Sequence, residues 1–168
     1  MANPIYIWFN GVTQGPIEGF GSWAGEDDQT GREGSSLVQA FNHQVTIPRD
    51  PQSGMASGRR VHHPLQITKR IDKASPKLYR ALVTGERLSE VIIKWYRITQ
   101  SGGGGQEHYF TTKLEEAVIT DIKQWFPLTM DPTKRDYSHL EDVSMTYRKI
   151  VWTWVDGGIE CEDDWRAG

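Results

Sequence analysis

Cysteine is almost absent. Cys161 stands alone in a chain of 168 residues, so no internal disulfide can form, and a disulfide-stapled secreted scaffold is excluded. Long hydrophobic runs are missing too. No stretch approaches the roughly 20 apolar residues that a membrane helix needs, so no membrane insertion is expected. The opening "MANPIYIWFNG" lacks the basic start and apolar core of a classical signal peptide. The chain is therefore expected to fold in a reducing cytoplasm, with any later export using a route that needs no cleaved signal. Positive charge is not in excess. Lysine and arginine total 19 against 22 acidic residues, a net charge of −3, so only a local patch could serve nucleic acid.

Signatures of catalysis and metal binding are equally scarce. The glycines at 102–105 are not followed by the Lys-Ser/Thr of a phosphate loop. "EDDQTG" at 26–31 lacks the alternating ligands and terminal Glu of a calcium loop. His62 and His63 are adjacent, and neighbouring side chains on a strand point to opposite faces, so the pair cannot easily share one ion. His43 falls on an apolar face and reads as a satisfied interior histidine. Glu115-Glu116 and "ECEDDW" (160–165) read as solvated faces rather than acid/base pairs. No Ser, His and Asp spacing marks a hydrolase. No metal, cofactor or enzymatic activity is expected.

What is present is aromatic and turn-rich. Seven tryptophans, five phenylalanines and 17 glycines with 37% hydrophobic residues describe a folded chain with many turns, of a length that suits one domain, residues 1–168. "IYIWF" (5–9) reads as a strand ended by Asn10-Gly11. Residues 14–35 read as loop with a short strand near Ile17 to Phe20. In "SSLVQAFNHQVTI" a period of two places Leu37, Phe41, Val45 and Ile47 on one face. One helix is signalled, with Ser75 as cap, Pro76 in the first turn, Gly85 as stop and Leu78, Ala81 and Leu82 as its apolar stripe. "LSEVIIKWYRIT" (88–99) and "EHYFTTKLEEAVITDI" (107–122) read as a hairpin joined by "SGGGGQ", with Phe110, Leu114, Val118 and Ile122 sharing a face. A last strand carries Val143, Met145, Tyr147, Val151 and Val155 on one side and Ile150, Trp152 and Trp154 on the other. The sum is an antiparallel β-barrel, two packed sheets, with one flanking α-helix.

Two segments stand out. "YRKIVWTWVDGG" (147–158) combines aromatic and basic residues. Tyr147, Trp152 and Trp154 could form a stacking platform for a single nucleic-acid strand or a sugar, but such stripes more often fill cores. Several strands are apolar on both faces, and a second apolar face needs the helix or another copy of the chain to cover it. The stretch from Pro48 to Arg60 is long and aperiodic, and it carries Arg49, Asp50, Gln52, Ser53, Met55, Arg59 and Arg60. Loops of that length are usually functional or disordered.

The segments "VHHPLQITKRIDKASPKLYRALVTGE" (61–86), "EHYFTTKLEEAVITDI" (107–122) and "HLEDVSMTYRKIVWTWVDGGIECEDDW" (139–165), with the opening "IYIWFNGVTQGPIEG", resemble the Hcp (haemolysin-coregulated protein) family of type VI secretion systems. They cover most of the chain, in order. The resemblance implies a barrel related to phage tail tubes, assembled as a homohexameric ring. Rings stack into a tube inside a contractile sheath under a spike, carry effector proteins in the lumen and are secreted on firing. It implies a structural part rather than an enzyme, and no nucleic-acid partner. Some relatives carry a toxin domain after the region matching "EDDW"; this sequence stops three residues past it, so no toxin extension is expected. In the family an extended loop at the place of 48–60 reaches from ring to ring, which assigns ring stacking to Arg49, Asp50, Gln52, Ser53, Met55, Arg59 and Arg60. Arg148, Lys149, Trp152 and Trp154 become candidates for subunit contact, with solvation the alternative for Arg148 and Lys149.

Overall fold

A computed structural model describes residues 3–19, 31–100 and 102–165. Eleven strands and one α-helix follow in chain order: β1 Ile5–Gly11, β2 Gly15–Ile17, β3 Ser36–Asn42, β4 Val45–Thr46, β5 Val61–His62, β6 Leu65–Arg70, α1 Ser75–Thr84, β7 Arg87–Ile98, β8 Gln106–Trp125, β9 Leu140–Thr146, β10 Lys149–Trp154 and β11 Ile159–Asp164. The main sheet runs β11-β10-β8-β7-β1-β3-β6-β9, and β9 returns to pair with β8. That last pairing closes six strands into an antiparallel barrel. The closed sheet folds onto itself as two packed layers around Ile7, Leu65, Ile67, Leu88, Val143 and Met145, all fully buried. β10 and β11 continue from the barrel as a ribbon, because the 20-residue β8 is long enough to pair with β9 along one half and β10 along the other.

The hairpin of β7 and β8 forms with its tip at the glycine run, where the Thr99 amide donates to the Gly105 carbonyl. The helix also lies where capping chemistry puts it, but Ser75 does not cap it. Ser75 is already helical, and the cap position belongs to Ala74, which has no side-chain bond to offer. The Asp72 carboxylate accepts from the Ala74 amide instead. The Ser75 hydroxyl is drawn inward, donating to Glu141 at 2.7 Å and accepting from the Asp72 amide. Gly85 does end the helix. Its φ of 68° lets its amide reach the Leu82 carbonyl while Glu86 reaches that of Ala81, a Schellman closure.

Several expected faces are displaced by irregularities. In β3 an extra residue at Gln39 interrupts the register with β6. Val38 turns inward in place of Leu37, Phe41 is half-buried, and Val45 and Ile47 lie exposed on a separate ribbon. In β8 the buried positions are Thr112, Leu114, Ala117 and Ile119, with Val118 displaced from the face it was assigned. The long last strand breaks after Thr146. Tyr147 is buried, yet beyond Arg148 it is Ile150 and the half-buried Trp152 that pack into the core cluster, while Val151, also buried, lies on the opposite face of the strand. The expected strand near Ile17 ends at that residue, and Phe20 lies outside the described residues.

Candidate functional site

The segment from Pro48 to Arg60 is an ordered arm. Its base is a two-stranded ribbon in which Val45 faces His62 and Thr46 faces Val61. Beyond the ribbon, Arg49 and Ala56 form a bridge, and Ser57 donates to the Pro48 carbonyl at 2.8 Å. The tip is a tight turn built by its own residues. The Asp50 amide donates to Met55, Gly54 donates back to the Asp50 carbonyl, and Gly54 adopts a φ of 71° that L-residues resist. The Asp50 carboxylate accepts from the Gln52 amide at 3.0 Å and the Ser53 hydroxyl at 2.8 Å. Those bonds, the Gln52 amide first, hold its carboxyl below the usual range. Asp50, Gln52 and Ser53 thus shape the tip. Arg49, Met55 and Arg59 remain exposed on the arm, and Met55 is 69% accessible. No residue from 48 to 60 joins the barrel core.

Arg60 has a different place from its neighbours on the arm. Its Nε donates to Asp163 Oδ2 at 2.6 Å, fastening the arm's base to β11. Around that contact lies a compact cluster. His62, whose side chain is 1% exposed, contacts Asp163 Oδ2 through Nε2 and the Tyr147 hydroxyl through Nδ1, both at 2.6 Å. His43 Nε2 meets the same hydroxyl at 2.8 Å. Trp165 stacks on His62 with ring centres 5.8 Å apart and donates its indole N–H to the Tyr147 carbonyl. Burial, then the charges of His62 and His63, push the His43 pKa down. Burial pushes the Tyr147 phenol well up, and the Asp163 carboxylate adds to the shift. Arg60 and the other hydrogen bonds hold the Asp163 carboxyl low against its partial burial. His63 turns the opposite way from His62, to Thr46.

The aromatic segment does not build one platform. Tyr147 is buried at 1% accessibility and its hydroxyl is engaged by two histidines. Trp152 packs against the core. Trp154 is partly exposed, edge-on to Tyr109 and beneath Arg97, whose guanidinium lies 5.4 Å from its ring centre. Arg148 spans Glu116 at 3.3 Å and Asp164 at 3.1 Å. Lys149 reaches Glu162 at 3.0 Å and Glu115 at 3.7 Å. Both are tied into intrachain pairs on a half-open surface, where each pair contributes little.

Sequence reasoning placed the arm and missed its clamp. Tyr147, Asp163 and Trp165 meet His62 only because β9, β10 and β11 return past the ribbon, some hundred residues later in the chain. The local signal was one of hydrogen-bonding residue types, without spacing to join them.

Among the described residues, fold and site together define a class: an antiparallel barrel with a single α-helix and an ordered arm that stays out of the core. Among the described residues no group of His, Cys, Asp and Glu is arranged to hold a metal. Similarity to known proteins narrows the class. The family model described as "Type VI secretion system effector, Hcp" matches residues 6–154. The "Major exported protein" of Pseudomonas aeruginosa is 50% identical over 99% of this chain and 98% of its own length. A crystal structure of an Hcp protein superposes with a TM-score of 0.89 at 43% identity, covering 99% of this chain and all of the other. The secreted protein Hcp3 of Pseudomonas aeruginosa gives 0.78 at 45% identity, over 98% of this chain and 99% of its own. This chain belongs to the Hcp family of type VI secretion systems.

Proposed function

We propose that this chain is the inner-tube subunit of a type VI secretion system. Six copies close into a ring and rings stack through the arm. The hollow carries and stabilises effector proteins, and the tube lies within a sheath and below a spike. The protein waits in the cytoplasm and leaves the cell on firing, consistent with the "exported" in the name of its 50% identical relative. It acts as a structural part and cargo carrier, without catalysis.

The observation that carries this reading is the arm. Residues 45–61 form an ordered arm that adds no side chain to the hydrophobic core, yet expose Val45, Ile47, Met55 and Val61. Exposed apolar rows on a rigid extension fit burial against another copy. Further apolar side chains lie bare at Phe126, Leu128 and Met130. Native mass spectrometry at micromolar concentration tests the ring. A six-chain particle is the expected result. A monomer with steeply salt-dependent oligonucleotide affinity would replace this reading with that of a nucleic-acid-binding barrel.

A further inference from the structure

The clamp at the base of the arm satisfies its hydrogen bonds in one order. The Asp163 carboxylate can only accept, so His62 Nε2 donates to it. If His62 is neutral, its Nδ1 is then an acceptor, and the Tyr147 hydroxyl donates to it. The Tyr147 oxygen has lone pairs left, and His43 Nε2–H donates to one of them. One proton sits on each ring, and each donor in the relay meets an acceptor. His43 and His62 lie on the two sides of the ribbon, so the order spans both strands of the arm and fixes them to the β9–β10 link and β11.

Further protons disturb this order. Among the described residues, the titratable and charged groups that act on the cluster are Arg60 at Asp163, and His63, which turns away to Thr46 but acts on His43 through its charge, with Asp164, Arg148 and Glu116 paired beside it. Arg148 is engaged with Asp164 and Glu116, and Arg60 already shares Asp163 with His62. A charged His43 would sit across a single hydroxyl from His62 with no carboxylate of its own among these contacts. If His62 gained its second proton as well, Tyr147 would receive two donors and its own hydroxyl proton would lose its acceptor.

We propose that the His43–Tyr147–His62–Asp163 relay is a proton-operated latch that holds the arm against the barrel near neutral pH and lets it loose in acid. The sign follows from His43. Its clamped form favours the neutral ring, whereas in a loosened arm the ring titrates near its ordinary value of about 6.5. The latch is therefore fully set above that value and weakens as pH falls below it, by up to about tenfold per pH unit for one proton. Asp163 stays ionised through this window because Arg60 holds its carboxyl low. The latch concerns the arm of a single chain. Its consequence, that acid would loosen a stack of rings, rests on the tube reading above.

Hydrogen exchange of the full chain, corrected for the intrinsic pH dependence of exchange, tests the latch at a series of pH values from about 7.5 down to about 5. The amides to follow are those of Asp50, Ser57 and His63, with β8 as reference. The expected result is a loss of arm protection of about tenfold or more between about pH 7 and pH 5 while β8 stays protected. His43→Gln keeps an N–H donor for Tyr147 but cannot titrate, so its arm should remain protected at the acid end of the series. Arm protection independent of pH in the parent chain overturns the proposal. So does an unchanged pH response in His43→Gln, or loss in arm and β8 together, which is acid unfolding of the whole barrel. Sedimentation of rings on the same samples reads the tube separately, so an arm that obeys pH in a chain that never forms rings would sink the tube and keep the latch.

Discussion

Lys69 and Glu141 are both wholly enclosed under the start of the helix. Their charged atoms lie 2.5 Å apart, with Asp72 at 2.8 Å and the Ser75 hydroxyl completing the set. Removing one member leaves a buried charge without its partner, which costs more than the pair is worth. Lys69→Met should lower unfolding free energy by about 3–5 kcal/mol in urea denaturation, and adding Glu141→Leu should recover part of that loss rather than double it. The helix offers a second contrast at this scale. Leu78 is fully buried, whereas Leu82 is half-buried at the margin of the core. Leu78→Ala should cost about 2–5 kcal/mol and Leu82→Ala clearly less, because exposed atoms have already kept their water. Equal losses would mean that the helix is rotated about its axis.

The helix itself depends on its stop. At Gly85 an added Cβ would meet no atom within 4 Å, so a substitution there reports backbone strain alone. Gly85→Ala should destabilise by about 1 kcal/mol, the left-handed penalty less the entropy removed from the unfolded chain. Most of the elements were legible because their signals are local: the proline and glycine around α1, the glycine tip of β7 and β8, and the aromatic run of β1. Faces were less legible, because alternation fails wherever a strand gains a residue. At one level of the barrel three neighbours do so together. Buried positions step by three from Leu88 to Val91, from Leu114 to Ala117 and from Tyr147 to Ile150. Glu116, at a φ of 51°, marks this corner in β8. The sequence has no glycine there to announce it, so a period-two count runs straight through and assigns Val118 and Val151 to the wrong side. Ser75 was misread for a related reason: a hydroxyl that suits a cap suits a buried carboxylate equally well, and only the approach of β9 decides between them.

At the scale of the whole molecule, the arm and the barrel are separable in their packing. The arm's tip is held by its own turn, through Asp50, Ser53 and Gly54, and its base by Arg60 and His62 on Asp163. Residues 50–58 therefore contribute little to the stability of the barrel, and replacing them with a short Gly-Ser linker should leave the fold intact. Such a linker adds loop-closure entropy that grows only slowly with length. If the arm joins rings as proposed, the same change removes Met55 and the shaped tip while leaving Arg60 and His62 in place. Single interactions of this kind are weak, since exposed ion pairs contribute about 0–1 kcal/mol, but a ring multiplies the deficit by its number of subunits. Single rings should persist, while stacks and secretion should vanish. Size-exclusion chromatography beside a secretion assay reads both. Normal secretion of the shortened chain would remove the arm from ring stacking, and collapse of the ring itself would move the arm's role to contacts within one ring.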